Sequence, residues 1–144
     1  MPYRLLSAAD AEWRPSNQMK VLNTDLARQL GATSLGARLW RMKPGQASTR
    51  HRHDEQEELY VLLEGTGRAR IDEEVLTLGP LDSLLVPHDT VRQLFNDTDA
   101  DQLWLVVGAP PAQASTLEMD EEQVRRLYPD GLGAMPPELA ETGA

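Results

Sequence analysis

His51, His53 and Glu58 are the side chains in this sequence best suited to binding a ligand together. The two imidazoles stand two positions apart, and a strand sends alternate side chains to one face, so both rings enter the same space. Asp54 to Glu57 form a polar run that can turn the chain. The segment Glu58-Leu-Tyr-Val-Leu-Leu63 then reads as a second strand that returns one carboxylate beside the rings. Two imidazole nitrogens and one carboxylate oxygen, with positions left open, suit a divalent transition metal such as Fe, Mn, Ni or Zn. Glu57 competes for the carboxylate role. Strand parity favours Glu58, with Tyr60 and Leu62 on its face and Leu59, Val61 and Leu63 turned the other way.

The same stretch runs G-x5-H-x-H-x4-E-x6-G from Gly45 to Gly65. It resembles the first signature motif of the cupin superfamily, glycines included. A second cupin motif, G-x5-P-x-G-x2-H-x3-N, is matched less well by Leu81 to Asn96. Pro87 and Asn96 fall in place, but Leu81 and Asp89 stand where the glycines should be. Arg92 stands where the family has its fourth metal ligand, a histidine. The resemblance covers roughly 34–107 and implies an all-β double-stranded β-helix, a jelly-roll barrel, with short N- and C-terminal helices. It further implies His51, His53 and Glu58 as the metal ligands.

Arg92 conflicts with that site, because a guanidinium is always charged and has no lone pair to offer a metal. Three outcomes are open. Arg92 turns aside beside a three-ligand metal and binds an anionic substrate or pairs with a carboxylate. Alternatively it replaces the metal and ion-pairs with Glu58. In the third case it points outward, and Gln93 or His88 completes the site. The first outcome explains every retained ligand and is favoured. Tyr60, Trp40 and Arg38 join Arg92 and Gln93 as candidate substrate contacts, with core packing or plain exposure as the simpler account of each.

The elements that must hold these residues are short. Segments rich in Val, Leu and aromatics recur over 35–42, 48–53, 58–63, 68–72, 75–78, 82–86, 90–96 and 102–107, separated by turn residues. Residues 1–33 read as an N-terminal extension packed on the barrel or on a partner, with a short helix over Asn23 to Gly31. The barrel is expected over 34–110. Residues 111–144 follow as a helix over Thr116 to Tyr128 and a loose tail from Pro136. Phe95 is expected to face outward, and with the extension it motivates a homodimer.

Composition narrows the partners. With 144 residues the chain suits one domain, and with Cys 0 it has no thiol chemistry or disulfides. A net charge of -9 argues against nucleic acid, and no apolar run is long enough to span a membrane. The N-terminal sequence lacks a secretory pattern, so a cytoplasmic location is expected. The expected function is a small metal-binding cupin acting on a small, anionic or oxygen-rich organic ligand. Dioxygenase- or isomerase-type chemistry is the favoured form, and the alternative is a non-catalytic binding protein, metal-free with Arg92 paired to Glu58. The fold by itself names no reaction.

Overall fold

The computed structural model describes residues 2–112 and 115–142. Strands β1 (Arg14–Pro15) and β2 (Leu22–Asp25) precede helix α1 (Leu26–Leu30). Then come β3 (Gly36–Met42), β4 (Glu57–Glu64), β5 (Gly67–Ile71), β6 (Glu74–Leu78), β7 (Ser83–Val86), β8 (Arg92–Phe95) and β9 (Gln102–Ala109). Two helices, α2 (Glu121–Leu127) and α3 (Pro137–Thr142), close the chain. The strands form a 6-stranded antiparallel sheet, β1-β2-β3-β9-β4-β7, and a 3-stranded one, β6-β5-β8. No ladder closes the two sheets into a barrel among the described residues. They touch through packing, and the segment between β3 and β4 reaches β8 through the isolated bridges Ala47–Phe95 and His51–Arg92 and through hydrogen bonds of Ser48 to Gln93 and Leu94. None of the helices is long and apolar enough to cross a membrane.

Alternation builds the inner face of the large sheet. Along β9 the residues Gln102, Trp104, Val106 and Gly108 are buried while those between them are half-exposed. Register then lines up three rows across β3, β9 and β4. The first is Trp40–Trp104–Leu62, the second Arg38–Val106–Tyr60 and the third Gly36–Gly108–Glu58. The first row merges with Met42, Val86, Ala69, Leu78 and Leu94 into the core between the sheets. The row apolar at one end and chemically equipped at the other is therefore a direct consequence of a two-residue period. Burying side chains of this size contributes about 1.5–3 kcal/mol each before entropy is subtracted.

Several elements differ from expectation, each for a local reason. Residues 48–53 do not make a ladder strand; they run beside β8 with single backbone bonds. The helix expected from Asn23 begins at Leu26, because Leu22 to Asp25 pair with β3 instead. Asp25 then caps it by accepting from the Arg28 N–H. The residues of the N-terminal extension are thus partly sheet. The second helix is confined to Glu121–Leu127 because Asp120 and Gln123 form a reciprocal capping box there. The tail is not loose over 137–142: α3 forms, Leu139 is buried and Glu138 pairs with Arg70. Leu139 and Ala47 also cover Phe95, which is fully buried. The outward-Phe95 argument for a dimer fails, since the chain covers that ring itself.

Two motif glycines have backbone reasons to be glycine. Gly45 and Gly65 hold φ of 84° and 86°, a region that disfavours side chains. A Cβ on Gly65 would also lie 2.4 Å from the Asp101 carbonyl oxygen.

Candidate metal and ligand site

Backbone pairing places each candidate ligand. His51 exchanges hydrogen bonds with Arg92, N–H to O at 3.0 Å and O to N–H at 2.8 Å, which ties it to β8. The His53 N–H donates to the His88 carbonyl at 2.7 Å. Glu58 rises from β4 in the row whose other members are both glycines. The result is a triangle of donor atoms. His51 Nε2 lies 3.2 Å from His53 Nε2, and Glu58 Oε1 lies 3.0 Å from His53 Nε2 and 3.7 Å from His51 Nε2. Ligand atoms about 2.1 Å from one metal and about 90–110° apart are separated by about 3.0–3.4 Å. Two sides of the triangle fall in that range and the third, 3.7 Å, is wider, and the N,N,O donor set fits a first-row transition metal. Glu57 is exposed and takes no part.

Secondary contacts orient the donors. The Thr49 carbonyl lies 2.9 Å from His51 Nδ1, so it can hold a proton there and leave the Nε2 lone pair facing the triangle. The Tyr60 hydroxyl donates to Glu58 Oε1 at 2.8 Å. Burial, reinforced by the adjacent carboxylate charge, keeps that phenol well above its ordinary range, so it remains a donor. Burial lowers the His53 pKa from its ordinary 6.5, against the opposing hydrogen bond to Glu58. Burial alone would raise Glu58, but its interactions with the adjacent His51 and His53 outweigh it and hold the carboxyl well below 4.5. Both directions leave these donors deprotonated at neutral pH, as metal binding requires.

Arg92 is placed unlike a substrate contact. Its side chain is 1 % exposed. Nη2 donates to the Val86 and Pro87 carbonyls at 3.2 and 2.9 Å, while Nε lies 3.7 Å from Glu58 Oε1 with no hydrogen-bond partner. The guanidinium sits behind the carboxylate and does not line the cavity. Gln93 does not line it either: its amide donates to the Ser48 and Ala134 carbonyls at 2.8 and 2.9 Å. The outward placement of Arg92 is thereby excluded, and so is completion of the site by Gln93. Arg38 and Trp40 do line the cavity, with the Arg38 guanidinium 6.0 Å above the indole.

The cavity has a volume of about 590 Å³ and extends from His51, His53, Glu58 and Tyr60 to the exposed Arg14 and Arg28. Four arginines, 14, 28, 38 and 52, line it against two carboxylates, Asp25 and Glu58. Asp25 already pairs with Arg38 at 3.0 Å. A cationic lining in a chain of net charge -9 is a local feature that composition does not reveal. Tyr128 and Leu127, from the end of α2, form part of the wall. The Tyr128 ring lies 6.0 Å from that of His51, and Arg52 holds α2 by donating to the Arg126 carbonyl at 2.7 Å. Sequence reasoning missed Gln56, Arg14, Arg28, Arg52 and Tyr128. Strand parity with Glu58 could have found Gln56. The others approach through tertiary contacts that have no local signal.

A Cupin domain family model matches residues 38–108. The chain belongs to the cupin superfamily. Among solved structures, a sugar phosphate isomerase of this superfamily from Silicibacter pomeroyi DSS-3 is 28% identical. The match covers 74% of this chain and 75% of that one, with a TM-score of 0.67. A putative sugar phosphate isomerase from Acidithiobacillus ferrooxidans is 23% identical over 73% and 74%, TM-score 0.64. A cupin protein from Bacteroides fragilis is 23% identical, covers 94% of this chain and 99% of its own, and has a TM-score of 0.63. The latter two likenesses establish the fold alone. No curated protein matches the sequence.

Proposed function

We propose that this cupin binds one divalent transition metal through His51, His53 and Glu58 and acts on a small, anionic, oxygen-rich organic molecule. The observation that carries this reading is the donor triangle of 3.0, 3.2 and 3.7 Å opening into an arginine-lined cavity. A bound metal would act as a Lewis acid or redox centre on an oxygen of the ligand. The chain's own residues do the rest. Thr49 and Tyr60 orient the donors, Trp40 offers a flat wall, and Arg38 with Arg14 and Arg28 draws in and orients the ligand's anionic end. Isomerase-type chemistry is favoured over dioxygenase chemistry, because the solved structure at 28% identity is described as a sugar phosphate isomerase.

A second reading has one observation in its favour. Arg92 places a buried positive charge 3.7 Å from Glu58 Oε1, so the carboxylate has a counter-ion without any metal. A metal-free, non-catalytic binding protein would use the same cavity. Elemental analysis of protein purified without an affinity tag separates the two. About one equivalent of transition metal supports the metal reading, and its absence, even after incubation with nickel or zinc, supports the binder. The variant Arg92→His then tests position: adding an imidazole should raise metal affinity by about tenfold or more.

A homodimer is retained as a proposal on different grounds from Phe95. The outer face of the large sheet carries the exposed Leu59 opposite the exposed Leu85. Sedimentation showing only a 16.0 kDa species at micromolar concentration would remove it.

A further inference from the structure

Gln56 presents an amide to the cavity without a partner among the described residues. Its exposure is 8%, and its side chain makes no hydrogen bond to any described residue, although it lines the cavity that holds His53 and Glu58. An amide that faces a cavity and has no partner within the chain keeps its donor and acceptor free for a bound molecule. The space it occupies is made by two glycines. On the β9 side of Glu58 the row continues through Gly108 and Gly36, neither of which has a side chain, and this leaves a slot on the inner face. The Gln56 side chain lies over that slot. A Cβ on Gly108 would fall 2.6 Å from its Cδ and 2.8 Å from its Nε2, and a Cβ on Gly36 would fall 3.4 Å from Nε2. Two residues before Glu58, it shares that residue's face.

We propose that Gln56 is a ligand-contacting residue that selects a hydroxyl group next to the ligand oxygen held at the metal. The inference rests on the metal-dependent reading and specifies its substrate class. An amide offers a donor and an acceptor, whereas the neighbouring Glu58 carboxylate only accepts. A hydroxyl, which also donates and accepts, satisfies both halves of the amide; a methylene satisfies neither. The favoured ligands are therefore hydroxy acids and polyhydroxy compounds, and plain carboxylates of the same charge are disfavoured. A site built to hydrogen-bond a hydroxyl discriminates by leaving its own polar atoms unpaired when the hydroxyl is missing.

Malate and succinate, which differ by one hydroxyl at equal charge, are the probes. Nickel stoichiometry is measured first on wild type, Gln56→Leu and Gly108→Ala, and calorimetric titration with both acids follows. All three proteins should load nickel. The wild type should bind malate about tenfold more tightly than succinate, and both variants should bind the two acids equally. Gly108→Ala is the control for folding, because it leaves Gln56 in the chain and only displaces the amide from its slot. Failure of the wild type to load nickel overturns the metal reading and this inference with it. Normal loading with no malate preference, including binding of neither acid, overturns the inference alone. So does a preference that survives both substitutions.

Discussion

The histidine segment before β4 and the β7–β8 corner meet at one site but bring opposite chemistry to it. Residues 51–58 supply three donor atoms, with both flanking glycines, Gly45 and Gly65, at the positive φ that glycine tolerates. Residues 81–96 supply a cation where a fourth donor would go, and Leu81 holds φ 72° where a glycine would be at ease. Their supports differ as well. His51 and His53 are held by backbone pairing and aim their free nitrogens inward, whereas Arg92 spends its Nη2 on the carbonyls of Val86 and Pro87 within its own corner. The contrast shows how the fold accommodates a buried cation beside three donor atoms. A guanidinium that brings its own carbonyl partners, and lies near a carboxylate, can occupy the core of the corner without being solvated.

Removing Arg92 should therefore have the largest effect, and it should appear in stability before ligand binding. Arg92→Ala leaves the buried Val86 carbonyl and the Pro87 carbonyl without their donor and Glu58 without its nearest cation. Breaking a buried pair by removing one partner costs about 3–5 kcal/mol, and the remaining contacts of Glu58 favour the lower end. Urea unfolding should show a loss of about 3 kcal/mol. An unchanged midpoint together with weakened anion binding would mean that Arg92 serves the ligand, and the contrast between the two segments would collapse.

Next in size is Glu58→Gln, which removes the one anionic donor of the histidine segment. Nickel retention should fall by about tenfold or more, and Glu57→Gln should leave it unchanged. Equilibrium dialysis against nickel measures both. Damage from Glu57→Gln instead would shift the strand register by one residue and dissolve the donor triangle.

Leu81→Gly should stabilise the protein. A leucine in the left-handed region costs about 1–2 kcal/mol, part of which the glycine gives back through the greater freedom of its unfolded chain. A net gain of about 1 kcal/mol in thermal or urea unfolding is expected. Leu81 is 76% exposed, so few contacts are lost. A destabilised variant would show that the leucine side chain matters to this corner and that the two segments are equally well adapted.

Legibility from sequence follows how local each feature is. Two-residue spacing sufficed to group His51 with His53, and parity sufficed to choose Glu58 over Glu57, because both are properties of a single extended segment. The placement of Arg92 was not legible. Its inward direction follows from parity, but its carbonyl partners lie around a corner whose geometry no spacing rule predicts. Phe95 failed for a related reason: alternation shows that it leaves the inner face, but not that α3, far along the chain, covers it. Helix limits failed where tertiary pairing overrode propensity, as at Asn23 and Thr24, which join β2 and not α1. The arginine lining drew on β1, α1 and β3, and only the assembled sheet brings Arg14, Arg28 and Arg38 to one cavity.

The smallest effect is expected at Asp54, and it tests what holds the histidine segment in place. Asp54 accepts two hydrogen bonds from Arg126 of α2, at 2.9 and 2.8 Å. The same segment is held by the His51–Arg92 bridge, by His53 N–H to His88 O, and by Arg52 N–H to Leu127 O at 2.9 Å. The ion pair is exposed and screened by salt, whereas the backbone bonds lie against packed structure, so the backbone should dominate. Asp54→Asn should change nickel affinity by less than about threefold. Its contribution to stability should also carry a pH signature. The Arg126 hydrogen bond holds the Asp54 carboxyl below its ordinary 3.8, so the contribution is complete above that value and fades as pH falls through the lowered one. Wild type and variant should accordingly converge in thermal stability at acid pH, and their small difference near neutrality should shrink in 1 M salt. A tenfold loss of nickel affinity in Asp54→Asn would show that α2, through this pair, sets the position of the histidines, and that the segment depends on a distant helix as much as Arg92 depends on its corner.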